Sequence, residues 1–190
     1  MYVQMDESIH VDEISFPKAM IVNGELKFES ESAFEYSIKE GVFFLKVPDD
    51  INIEPGIRFS KNFYREIIDN ELNDYIGYHL LKYEDSILGY SDRHDQVEQL
   101  QLELSLWEKY FPEELASLLN KMNDLGLYII EQVFRKCGIK QEYWDTITGG
   151  ASKGTALQYC IFNHYRQLER HSGITKHKDS GYVTVLYSPE

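Results

Sequence analysis

His177, Lys178 and Asp179 form the stretch whose residue types and spacing best suit chemistry. In an extended chain, residues i and i+2 point to one side, so the imidazole of His177 and the carboxylate of Asp179 converge while Lys178 faces away. One neutral nitrogen donor beside one anionic oxygen suits two adjacent ligands of a single metal ion. It is part of the two-His, one-carboxylate ligand set that leaves positions open on ferrous iron. Taken alone, the triplet also fits a surface histidine beside a neighbouring carboxylate.

A second polar group lies upstream. Leu157, Tyr159, Ile161, Asn163 and Tyr165 alternate with Gln158, Cys160, Phe162 and His164, the period of a strand. Asn163 and Tyr165 therefore share one face, with an amide and a phenol directed into the same space. A polar strand end with a packing aromatic fits the same two residues. Cys160 and His164 fall on the opposite face, where an ordinary packing role is expected. A further extended stretch starts near Lys176 and runs through Tyr187 before Ser188 and Pro189.

The elements that must position these residues occupy the first 150 positions. Leu115, Leu118, Leu119, Met122, Ile129, Ile130, Val133 and Cys137 recur at helical spacing, with Pro112 at the start and Gly138 at the stop. One long helix with an apolar core face is predicted. Gly126 interrupts it at a cost of roughly 1 kcal/mol relative to Ala, which implies a close approach of another backbone there. Phe63, Ile67, Ile68, Leu72, Tyr75 and Ile76 predict a helix within 60–82, ending near Gly77. Gly41 to Pro48 reads as a buried strand, residues 89–95 as a polar loop, and 30–39 as either a short helix or an edge strand.

Composition bounds the rest. The chain has 190 residues, 43% of them apolar and 14% aromatic, enough for one core and short for two. Against 19 Lys and Arg stand 32 Asp and Glu, a formal charge of -13, so the overall field repels nucleic acid and anionic lipid. No apolar run approaches the roughly 20 residues of a spanning helix. The start carries Asp6 and Glu7 where a secretion signal has basic and then apolar residues, so a cytoplasmic protein is expected. Cys137 and Cys160 form no CxxC and suggest neither a disulfide framework nor a thiolate zinc site; both are expected to be buried or inert.

The order of these segments resembles the isopenicillin N synthase-like family of iron(II)/2-oxoglutarate-dependent oxygenases. The resemblance rests on Ile161-Phe162-Asn163-His164-Tyr165, a loop, and then His177-Lys178-Asp179 leading into Thr184-Val185-Leu186, like that family's Asn-x-Tyr, His-x-Asp and Thr-x-Leu strands. Val11 to Ser15 looks like its opening strand and Gly41 to Leu45 like its "GFF" strand. Gly89 to Ser91, the charged stretch around Glu98 and the long helix follow in the expected order, so most of the chain is covered.

The resemblance implies an α+β fold with a double-stranded β-helix, or jelly-roll, core. The whole of 1–190 would be a single oxygenase-like domain, with N-terminal strands and helices in 1–150 and the first core strands and metal motif in 151–190. It makes His177 and Asp179 the first two ligands of Fe(II). Asn163 and Tyr165 would hold 2-oxoglutarate, Asn163 near the chelating end and Tyr165 through its hydroxyl. In that family the metal activates O2, decarboxylates 2-oxoglutarate and oxidises a C–H bond of a small molecule. Halogenating relatives replace the carboxylate by a small residue, so Asp179 implies hydroxylation, desaturation or cyclisation.

The family's second metal-binding His and its Arg-x-Ser clamp for the far carboxylate lie several strands beyond the His-x-Asp. No residue after Asp179 matches them, and His10, His79, His94 and His171 are poor substitutes by position. The expectation is therefore the N-terminal part of a longer polypeptide, or one half of a split protein whose partner chain completes the core. Two other readings stand beside the oxygenase. One is a 2-oxoglutarate-independent oxidative cyclase of the same family. The other is an acidic, non-catalytic interaction module docking through the stripe from Leu115 to Val133. Binding of Fe(II) separates the enzymes from the module.

Overall fold

The computed structural model describes residues 16–69, 89–92, 97–165 and 181–187, of which 66–69 and 89–92 are described by their backbone alone. It is a mixed α+β structure with two small sheets and several helices. Residues 1–49 and 50–190 divide into two compact units.

In the first unit, strands β1 (Lys18–Val22) and β2 (Glu25–Phe28) form an antiparallel hairpin. Its two-residue turn is Asn23-Gly24, with φ of 52° and 71°. Both residues are left-handed, as a type I′ turn requires, and Asn-Gly meets that at the lowest steric cost. Helix α1 (Glu31–Glu40) follows, its first turn capped by Ser30 Oγ accepting from the Ala33 N–H at 3.1 Å. The cap settles the choice between helix and strand for this segment. Ala19, Leu26 and Phe34 are buried, and Phe28 packs edge-to-face on Phe34 and Phe43.

The run from Gly41 to Pro48 departs from expectation. Only β3 (Phe44–Leu45) pairs, parallel to β1, and Phe44 is 54% exposed, with Val42 and Val47 exposed as well. Among the described residues the run has one paired edge, and Phe43 and Leu45 turn inward while their neighbours turn out. The continuous apolar stretch here is a half-exposed strand rather than a buried one.

The second unit begins with α2 (Glu54–Asp69). The helix starts earlier than its apolar spacing suggests because Asn52 Oδ1 accepts from the Glu54 N–H at 3.1 Å and Pro55 sits in the first turn. Positions beyond 69 in the expected helix lie outside the described residues. Strand β4 (Gly89–Asp92) occupies what its composition marks as a polar loop. It pairs antiparallel with β5 (Val97–Glu103), so backbone pairing overrides side-chain polarity there.

After β5 come the short helix α3 (Trp107–Tyr110) and the long helix α4 (Glu113–Lys136). Leu115, Leu118, Leu119 and Ile129 of α4 are buried, as the periodicity predicts. Pro112 is the residue immediately before the helix, and Cys137 is exposed at its end, contrary to the expected burial. The apolar stripe runs out before Cys137 because the last turn of α4 rises out of the core.

Gly126 is buried. A Cβ built on it would lie 3.5 Å from both Val183 Cγ1 and Val185 Cγ2. The expected close approach is real, but it is made by valine side chains of the 181–187 segment rather than by backbone. That segment pairs with no strand among the described residues; its alternation is used against a helix.

Helix α5 (Trp144–Thr148) precedes β6 (Tyr159–Tyr165), which completes the sheet order β4-β5-β6. The core of this unit joins Phe63 and Tyr64 of α2, Leu100 and Leu102 of β5, Trp107, Phe111 and the buried leucines of α4. Among the described residues, no helix is long and apolar enough to cross a membrane.

Candidate functional site

Strand β6 presents two faces, and β5 opposes it residue for residue. Val97 faces Tyr165, Glu98 faces His164, Gln99 faces Asn163, Leu100 faces Phe162, and Leu102 faces Cys160. Directly opposed residues of an antiparallel pair share a face, so each row is a cross-strand contact.

Asn163 and Tyr165 lie on the more open face, together with Tyr159 and Ile161, which are 38% and 41% exposed. Tyr165 is itself 52% exposed. Asn163 Oδ1 accepts from Gln99 Nε2 at 2.9 Å. That bond uses the amide's acceptor and leaves its Nδ2 as a donor, alongside the Tyr165 hydroxyl.

The other face packs on the core. Cys160 and Phe162 cover Leu102 and Leu100, both fully buried, and Phe59 of α2 lies against Phe162 with ring centroids 5.2 Å apart. His164 Nδ1 stands 2.6 Å from Glu98 Oε2. Glu98 is 2% exposed, so a carboxylate is held inside the fold against a half-buried imidazole. A buried carboxylate requires such a partner because the protein interior replaces little of the hydration it loses.

Tyr64 of α2 completes the cluster. Its ring stacks on His164 at 4.8 Å, its hydroxyl donates to the Phe162 carbonyl at 2.6 Å, and it accepts from the Leu100 N–H at 3.1 Å. Burial pushes the Tyr64 hydroxyl far above the ordinary tyrosine range; the Leu100 N–H opposes this shift and the charge of Glu98 adds to it.

Burial also pushes the Cys160 thiol up to about 12. Thiolate is the reactive form, so at pH 8 a maleimide is expected to modify exposed Cys137 at least ~10-fold faster than Cys160. Peptide mapping after timed quenching checks this, and equal rates would contradict the packing of β6 on β5.

His177 and Asp179, with His10, His79, His94 and His171, lie outside the described residues; His164 is the one histidine within them. Among the described residues, no group of three or more His, Cys, Asp and Glu could hold a metal ion. Sequence reasoning assigns the His164 face no role beyond packing and does not find the Glu98 pairing. The advance signal is a histidine inside an alternating strand, on one of two faces that the sequence does not tell apart. No protein-family model matches the chain, and no curated protein does.

Proposed function

We propose that this chain belongs to a non-haem iron(II)/2-oxoglutarate-dependent oxygenase acting on a small molecule, with its β-strands forming part of a jelly-roll core. The observation that carries the reading is the pair of donors on β6. Asn163 is oriented by Gln99 so that Nδ2 is left to donate, and Tyr165 stands two residues along the same face, its Cα roughly 7 Å further on. A carboxylate-bearing co-substrate needs such donors, and hydrogen bonds to a charged group contribute about 1.5–3 kcal/mol each.

His177 and Asp179, a short distance along the chain, are the residues assigned to the metal. Iron at that point would supply oxidation of a C–H bond coupled to decarboxylation of 2-oxoglutarate. The protein's own part is to hold and orient the co-substrate. Asn163 stands near its chelating end, Tyr165 donates to a carboxylate through its hydroxyl, and Gln99 keeps the Asn163 amide from rotating. Arg166, Arg170, Lys176 and Lys178 make the neighbouring sequence basic within an acidic chain, a local charge that favours an anionic co-substrate.

Anaerobic addition of Fe(II) and then 2-oxoglutarate to the complete protein is expected to give a visible charge-transfer band. His177→Ala should abolish it. Asn163→Ala should keep the band but require about 10-fold more 2-oxoglutarate, the loss of one charge-assisted hydrogen bond. No band in the unaltered protein, or an unchanged band in His177→Ala, would overturn the assignment.

A further inference from the structure

Strand β6 lacks the usual determinant of register. Shifting a strand by one residue turns every side chain to the opposite face, and a difference in apolarity between faces normally forbids it. Here the outward set Tyr159, Ile161, Asn163 and Tyr165 is as apolar as the inward set Cys160, Phe162 and His164. Nor does a tight turn fix the pairing, because β5 and β6 are separated by residues 104–158, which contain α3, α4 and α5. Hydrophobic burial and hairpin geometry both leave the choice open.

Two adjacent polar rungs resolve it. Glu98 with His164 closes the inward face at 2.6 Å, and Gln99 with Asn163 closes the outward face at 2.9 Å. They are consecutive in register and point in opposite directions. A shift of one residue breaks both at once, leaves the Glu98 carboxylate opposite Asn163 or Tyr165, and removes His164 from the Tyr64 ring. The carboxylate is the costly member, since it is 2% exposed.

We infer that Glu98 and His164, with Gln99 on the other face, are positioning residues that set the register of β6 and so decide which face carries Asn163 and Tyr165. The register itself is independent of the oxygenase reading; its use in presenting donors to 2-oxoglutarate rests on that reading.

The test places a thiol at position 101 by Gln101→Cys, in a Cys137→Ser background. In the observed register position 101 opposes Ile161, and a shift of one residue brings it opposite Cys160 in one direction or Phe162 in the other, the latter read in a parallel variant with Phe162→Cys. Adding Ile161→Cys gives a reporter of the observed register; omitting it gives a reporter of the shifted one. With the rungs intact, mild oxidation should form the 101–161 disulfide and little 101–160 disulfide, as read by peptide mass spectrometry. Glu98→Ala with His164→Ala, which removes the rung without making the inward face more apolar, should raise the 101–160 product at least 10-fold, and adding Gln99→Ala should raise it further. Glu98→Gln, whose amide oxygen still accepts from His164, should restore the parental pattern.

Should the Glu98/His164 alanine pair fail to fold, as circular dichroism would show, Gln99→Ala with Asn163→Ala supplies the second removal and should also raise the shifted product. An unchanged disulfide pattern after either removal in a folded variant overturns the inference. An unaltered protein that binds no 2-oxoglutarate with Fe(II) overturns the oxygenase reading instead and leaves the disulfide result standing.

Discussion

Trp107→Ala should destabilise the second unit by roughly 4 kcal/mol, the largest effect expected from a single substitution among the described residues. Trp107 is 3% exposed and belongs to the cluster formed by α2, β5 and α4. Truncation opens a cavity that these elements can only partly close, because each is tied elsewhere. It also removes a hydrogen bond, since Trp107 Nε1 donates to the Leu102 carbonyl at 3.0 Å. Leu102 is fully buried, so its carbonyl has little water to turn to. Urea denaturation followed by circular dichroism measures the loss; a change below about 1 kcal/mol would show that the core is not built around this side chain.

Tyr64→Phe should cost roughly 3 kcal/mol, although the change deletes one oxygen. That oxygen joins backbone groups on adjacent strands, donating to the part-buried Phe162 carbonyl and accepting from the buried Leu100 N–H. Each buried group left without its partner costs about 1–3 kcal/mol. The pH dependence has a definite sign. The folded protein holds the Tyr64 proton above the ordinary value of 10.0, whereas the unfolded chain releases it there. The unfolded state therefore binds fewer protons at high pH, and stability contributed below pH 10 is lost as pH rises past it. The slope from this group approaches about 1.4 kcal/mol per pH unit. Tyr64→Phe should flatten that slope in alkaline denaturation, and an unaltered slope would place the ionising group elsewhere.

How far the sequence foretells this structure depends on the range of the deciding interaction. Helix α4 is legible because the stripe Leu115, Leu118, Leu119 and Ile129 lies on one element and its burial follows from spacing. The hairpin is equally local: Asn23-Gly24 is a strong short-range turn signal, although the first half reads only as short mixed segments. Strand β4 is illegible because a polar strand is made by its neighbour's hydrogen bonds. The alternation in β6 can be read from the sequence; which face turns inward cannot, since both are comparably apolar. The Glu98–His164 contact joins residues 66 positions apart and leaves no local trace. For the candidate site, the structure adds the Gln99 bond to Asn163, while the metal motif stays outside the described residues.

The Asn23-Gly24 turn also bears on the order in which the first unit assembles. Its hairpin closes a two-residue loop, so the entropy lost in bringing β1 and β2 together is near its minimum. Isolated hairpins of this kind form in ~1–10 μs. Strand β3 joins β1 only across β2 and α1, and through two paired positions. Chain closure over that distance costs more and returns less, so β3 is expected to dock late. The hairpin would then be the surface on which the rest of the unit condenses, and Gly24 would act on the clock of folding as well as on its end point.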